Sequence, residues 1–425
     1  MRRGIAASAL VAALAATLAA CGSSGSGTSS ASGPVTITYW DTSNATNEMP
    51  NYQAVVQKFE AANPNIKVNF VNVPFDQAQD KLQTAMGSKG APDVFRSDVG
   101  WTAAFAKAGF LTPLDGTPAL SDPSAYQPSL IKQAQYQGKT YGVPLVTDTL
   151  GLLYNKALFT QAGITTPPTT WDELKADAAT IKTKTGVDGF EMRAGDGYYA
   201  MPLFYGEGTD MVDAANKKIT VNSPDAVKAI TTYQSLFNSP GTVKADITTD
   251  SYAHMMDAFN GGKVAAIING PWEITNIYKG SSFTDHTNLG IAPVPAGSTG
   301  KAGAPTGGHN ICVYAGSDAA HQAAAEKFAA FMTSADSESF IAQKNSTLPT
   351  RPDAFTADVK SDPGIAGFQQ ILSVAQPRPA LPEYSSLYTS LSTNLGKIAT
   401  GQQGIQPGLD ATAQDYAKLL PDFAK

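Results

Sequence analysis

From Val35 onward, short runs of β-branched and aromatic residues alternate with longer stretches of helical apolar spacing. This alternation restricts the chain to an α/β fold built from strand–helix–strand units. Val35 to Trp40 reads as a first strand that ends in the polar run Asp41-Thr-Ser-Asn44. Tyr52, Val55, Val56 and Phe59 carry helical spacing across residues 50–62, until Asn63-Pro64 stops it. Ile66 to Val73 alternates as a strand should, residues 75–87 return to helical spacing, and Asp93-Val-Phe95 is a further short strand. That order implies a mostly parallel sheet. Ligands of such sheets sit beyond the carboxyl ends of the strands, so the loops after Trp40 and Phe95 are the first places to look. Farther on, Thr170 and Glu173 have capping-box spacing, and residues 222–239, 250–260 and 319–332 read as helices. Val264 to Ile268 is a buried strand running into Asn269-Gly270-Pro271-Trp272, whereas residues 293–308 are loop-like.

The first 34 residues follow a different logic. Met1-Arg2-Arg3 is basic, and Ile5 to Ala20 is apolar and uncharged but too short to span a bilayer comfortably. This is the pattern of a secretory signal peptide, expected over residues 1–20. Leu18-Ala19-Ala20-Cys21 resembles the bacterial lipobox, in which the cysteine thiol receives diacylglycerol and, as a mature lipoprotein, palmitate. Cys21 is therefore the expected lipidation site. Residues 21–34 are rich in Gly and Ser and form a flexible tether. The expected location is extracytoplasmic, held to the cell membrane only by that lipid.

Composition narrows the chemistry. At 425 residues the chain is long enough for two or more domains. Its formal charge of -6 and isoelectric point near 5.3 argue against nucleic acid, which needs a basic footprint. Cys21 and Cys312 cannot make a disulfide framework, and a lipidated Cys21 leaves Cys312 as a packed thiol. His254, His286, His309 and His321 have no zinc-binding spacing, so neither a metal nor a cofactor is expected. The stretch Pro295 to Lys301 only superficially matches a phosphate loop, because its first Gly is missing and Ala302 replaces the Ser or Thr. The sequence contains neither a G-x-S-x-G elbow nor a dinucleotide G-x-G-x-x-G after the first strand. Paired carboxylates such as Asp98 and Asp148 keep a glycoside-active enzyme open as an alternative. A receptor of similar fold for a non-sugar solute is another.

Five segments, in order, carry a family resemblance: Ala91 to Trp101 continuing through Ala108 to Leu114; Gly138 to Leu145 with Leu152 to Lys156; Phe259 to Trp272; Gly307 to Asn310; and Leu348 to Arg351. Together they resemble the maltose-binding-protein-like, carbohydrate-binding solute receptors of ABC importers. The resemblance implies a two-lobed, type II periplasmic-binding-protein-like α/β fold with the ligand cleft between the lobes. Lobe 1 would comprise residues 35–147 and 310–357, and lobe 2 residues 148–306 and 364–425. Hinges would lie near 147–148, 306–310 and 357–364. Lobe closure would present a sugar, mono- or oligosaccharide, to the permease subunits and their cytoplasmic ATPase. The receptor would be a monomer without catalytic activity.

Sugar binding calls for aromatic faces against C–H surfaces, and for carboxylates or amides at the hydroxyls. Carried onto this sequence, the resemblance points to Asp98, Asp148 and Asp196 as polar ligands. Trp272, Tyr198, Tyr199 and Tyr388 are the implied stacking aromatics, and Trp101 would cap one end of the cleft. Ser43, Asn44, Gln77 and His309 complete the expected set.

Overall fold

A computed structural model describes residues 33–424. The signal peptide, Cys21 and most of the Gly/Ser tether lie outside the described residues. The first strand, β1 (Val35–Asp41), is followed by helix α1 (Met49–Ala62), then β2 (Ile66–Asn72), α2 (Phe75–Ala85), β3 (Val94–Asp98) and α3 (Thr102–Lys107). Next come β4 (Val143–Asp148) and β5 (Gly151–Asn155), and a helix at Trp171–Thr185 whose capping box forms as the spacing predicts. Thr170 Oγ1 accepts from the Glu173 backbone N–H at 3.2 Å, and Glu173 accepts from the Thr170 N–H at 3.3 Å. After α4 (Gly197–Gly206) and a helix at Ser251–Asn260 come β6 (Ala266–Asn269), β7 (Leu289–Ala292) and β8 (Gly307–Val313). The C-terminal part is helical: α5 (Ala319–Met332), α6 (Ala335–Asn345), α7 (Pro363–Leu372), α8 (Tyr384–Ala399) and α9 (Ile405–Leu419).

Two main sheets result. The first has the order β2-β1-β3-β8-β4 and the second β6-β5-β7. The expectation of a mostly parallel arrangement needs correction. β1 pairs in parallel with β2 and β3, but β8 runs antiparallel to both its neighbours, β3 and β4. In the second sheet β5 is antiparallel to both β6 and β7. The cause is the chain path: β4 leaves the first sheet for the second, and β8 returns from the opposite direction into the gap between β3 and β4.

Each sheet is covered on both faces. One core of the first sheet gathers Ile37, Tyr39, Phe59, Val143, Ile311 and Phe328, and the other Phe95, Phe105, Leu111 and Cys312. Cys312 is fully buried, and burial pushes its thiol up to about 12, so it behaves as a small apolar side chain. The second sheet packs Leu152, Trp171, Ile268 and Tyr384 on one side and Leu153, Ile267, Phe259 and Phe368 on the other. Helix α6 joins the two systems, sending Ile341 into the first sheet's core and Ala342 into the second's. Leu348, Phe355 and Val359 also pack with the second sheet.

Candidate functional site

Because β8 opposes its neighbours, its amino end meets the carboxyl ends of β3 and β4 along one edge. The strands β1, β3 and β4 end in Asp41, Asp98 and Asp148. In the β8 register His309 faces Asp98, and Gly307 faces Asp148. A side chain at 307 would collide with the Asp148 carboxylate and lie 2.7 Å from the Tyr198 hydroxyl, so glycine alone lets these groups meet.

Tyr198 stands in the first turn of α4, with its hydroxyl 3.5 Å from Asp148 Oδ1 and from the Pro305 carbonyl. Burial pushes the Asp148 carboxyl up to about 7; the Arg378 charge pulls it back down and Asp98 adds to the rise. Arg378 escaped the sequence reading. Its side chain is buried, its Nη1 lies 3.1 Å from Asp98 Oδ1, and its Nε donates to the Thr306 carbonyl at 3.0 Å. Its guanidinium also lies over the Tyr198 ring at 5.7 Å. The available signal was an isolated charge clamped between Pro377 and Pro379. Tyr388 meets Tyr198 edge-on at 6.3 Å and Tyr384 at 5.5 Å, and its hydroxyl is buried with no hydrogen-bond partner among the described residues.

Trp272 follows the Gly270-Pro271 turn and is half-buried. Its Nε1 donates to the Tyr252 hydroxyl at 2.9 Å, and that hydroxyl donates to Glu273 Oε1 at 2.9 Å. A Cβ on Gly270 would strike the indole, so the ring is fixed by close approach as well as by its hydrogen bond. Asn47, in the loop after β1, donates to the Trp272 carbonyl at 3.1 Å and joins the two walls. On another rim Ser385 Oγ donates to the Gly100 carbonyl at 2.8 Å, and Lys107 pairs with Glu383 at 2.5 Å.

Asp98, Asp148, Tyr198, His309 and Tyr388 are thus brought together with Arg378. The imidazole of His309 has both nitrogens buried without a partner among the described residues, and burial and the charges of Arg96 and Arg378 hold it well below its usual pKa. Trp101 is 6% exposed and stacks on Phe75 beside this cluster. Ser43 is buried in the loop after β1, bonded to Asp41. The remaining expected residues lie elsewhere. Tyr199 points away from its neighbour Tyr198 into the second sheet's core, where its hydroxyl donates to Asn269 Oδ1 at 3.1 Å. Asp196 caps α4 through the Tyr198 N–H at 2.9 Å and pairs with Arg193 at 3.3 Å. Asn44 is exposed and caps its own turn at Thr46, and Gln77 is exposed on α2.

The two sheets, each with its own cores, make a two-lobed, type II periplasmic-binding-protein-like fold. The chain belongs to the bacterial extracellular solute-binding protein family, whose model matches residues 42–339. It is 26% identical to the diacetylchitobiose binding protein DasA of Streptomyces coelicolor, with 91% of each chain covered. It is 27% identical to the maltodextrin-binding protein MdxE of Bacillus subtilis, covering 88% of this chain and 87% of that one. Among solved structures, the GacH receptor of Streptomyces glaucescens, determined unliganded and with acarbose and an acarbose homologue, superposes with a TM-score of 0.87. That pair is 41% identical, covering 92% of this chain and 99% of GacH.

Proposed function

We propose that this chain captures a sugar outside the cell and delivers it to the permease subunits of an ABC importer driven by a cytoplasmic ATPase. The mature protein is a monomeric lipoprotein: residues 1–20 are removed and Cys21 carries the lipid, with the Gly/Ser tether holding the receptor near the membrane. Lobe 1 comprises 35–147 and 310–357, and lobe 2 comprises 148–306 and 364–425. Closure about the crossings near 147–148, 306–310 and 357–364 encloses the ligand.

The observation that carries the sugar reading is the meeting of Asp148, Asp98 and Arg378 with Tyr198 and Tyr388. Carboxylates accept from sugar hydroxyls, a guanidinium donates to them, and aromatic rings cover the C–H faces. These groups bind and orient; turnover is no part of the proposal. The test is intrinsic tryptophan fluorescence titrated with a panel of mono- and oligosaccharides, followed by analysis of the incubated sugars. Saturable binding with intact sugar supports the receptor. Cleaved sugar, or no saturable response from any saccharide, would sink it. For the anchor, mass spectrometry of the membrane-extracted protein should find a diacylglyceryl adduct on Cys21, and Cys21→Ser should release the receptor from the membrane.

A further inference from the structure

The segment Leu348 to Arg351 carries part of the family resemblance but supplies none of the side chains gathered above. It runs along β4, the strand that ends in Asp148. The Leu348 carbonyl accepts from the Thr147 N–H at 3.0 Å, and Thr350 Oγ1 lies 3.1 Å from the Pro144 carbonyl. One carboxyl grips the same segment. Glu338 of α6 is 1% exposed, and its Oε2 accepts from the Thr350 N–H at 2.7 Å and the Arg351 N–H at 3.0 Å. Its Oε1 lies 2.6 Å from Thr350 Oγ1.

A hydroxyl has one hydrogen to give, and a carbonyl can only accept. Thr350 Oγ1 faces both the Pro144 carbonyl and Glu338 Oε1. Both contacts are hydrogen bonds only if Oε1 carries a proton and donates it to Thr350, which then donates to Pro144. Charge points the same way. Arg351 is turned aside: its Nε and Nη2 engage Asp353 at 3.0 and 2.8 Å, and its guanidinium lies over the Tyr126 ring at 5.2 Å. Among the described residues Glu338 makes no ion pair, and an unpaired buried carboxylate is costly. Of the packed neighbours, Tyr126 bonds to Thr333, Lys58 of α1 lies over Phe340, Asp362 accepts from Ser346, and His321 of α5 pairs with Asp318. Burial pushes the Glu338 carboxyl up to about 8, while the Thr350 and Arg351 hydrogen bonds and the Arg351 charge pull it back. We propose that Glu338 is held protonated at neutral pH and acts as a positioning residue, its proton completing a relay through Thr350 to Pro144 that clasps residues 348–351 onto β4 and so sets Asp148. When that proton leaves to solvent, Thr350 has one hydrogen for two acceptors and the clasp loosens beside the crossing at 147–148.

Glu338→Gln tests this, because its carbonyl can serve the two N–H groups and its NH2 can donate to Thr350. Infrared difference spectra at pH 7 should show a protonated-carboxyl band in the unsubstituted chain that the variant lacks. A raised carboxyl contributes stability that is full below its usual value of about 4.5 and is lost as pH rises through about 8. The melting temperature of Glu338→Gln minus that of the unsubstituted chain should therefore grow from pH 5 to pH 8 and then level. Amide exchange corrected for intrinsic rates should find Thr147 about tenfold less protected at pH 9 than at pH 7, but only where Glu338 is present. Over the same range, sugar affinity relative to Glu338→Gln should fall about threefold. Thr350→Val should lose the Thr147 protection already at pH 7 and Thr350→Ser should keep it, a reading that does not depend on any change at Glu338. No infrared difference at pH 7, a melting difference flat from pH 5 to pH 8, or Thr147 exchange unmoved by Thr350→Val overturns the clasp. A receptor that binds no sugar removes the sugar reading alone, and the infrared and exchange results still decide this one.

Discussion

Two aromatic rings, Trp272 and Phe75, are held in opposite ways. Trp272 is fixed: its N–H is engaged by Tyr252, its carbonyl by Asn47, and its indole packs against Gly270 where a Cβ would collide with it. Phe75 has no polar handle, keeps half its surface in solvent, and rests on Trp101 alone among its aromatic neighbours in a stacked geometry. A ring locked before the ligand arrives loses little freedom on binding and supplies affinity. A ring that can adjust adds contact only at some entropic cost. The comparison contrasts a ring held by hydrogen bonds and close packing with one held by stacking alone.

The largest effect should come from removing the anchor. Trp272→Ala is expected to weaken binding of the best sugar by about 100-fold in titration calorimetry, as central aromatic anchors do. A loss below tenfold would show that the fixed ring is no anchor. Next is the carboxylate beside Tyr198. Burial raises Asp148 to about 7, so the unliganded site is mostly protonated at pH 6 and mostly ionised at pH 8. The ionised form is the stronger acceptor for sugar hydroxyls, so affinity should rise with pH through about 7. Asp148→Asn should weaken binding about tenfold at pH 8 and flatten the profile. A pH-independent unsubstituted receptor would remove Asp148 from the contact.

A smaller change tests why the anchor is fixed. Tyr252→Phe takes away the acceptor of the Trp272 N–H and should cost about threefold to fivefold in affinity, with faster indole motion in fluorescence anisotropy. Unchanged anisotropy would mean that Gly270 alone holds the ring. Smallest of all is Lys107→Ala, which removes an exposed pair with Glu383 at the rim. Affinity should move by less than about twofold and the melting temperature should stay put, because solvent screens such pairs. A larger effect would make that rim contact part of closure.

Much of the fold was legible because its signals are local. The Thr170 capping box, the start of α1 near Pro50 and the Val35–Trp40 strand each depend on residues within a few positions. The positions of Asp98 and Asp148 at strand ends were legible for the same reason. The adjacent pair Tyr198 and Tyr199 shows where that stops. Neighbours on a helix face different directions, and only packing shows that Tyr198 meets Asp148 while Tyr199 is buried at 3% exposure. Asn44 and Asp196 are engaged in backbone caps, a use open to any Asn or Asp that no local pattern distinguishes from a ligand role.

By itself, then, the sequence determined the alternation of strands and helices, the acids at strand ends, the Gly-Pro turn before Trp272 and the signal pattern ahead of Cys21. The tertiary structure alone decided the rest. It set β8 against its neighbours, so that His309 faces Asp98 and Gly307 faces Asp148. It brought Arg378 to Asp98 across 280 residues and laid Phe75 on Trp101. Local spacing reports what a segment forms, whereas contacts between distant segments depend on how the chain crosses between its two sheets, and no short-range pattern encodes that path.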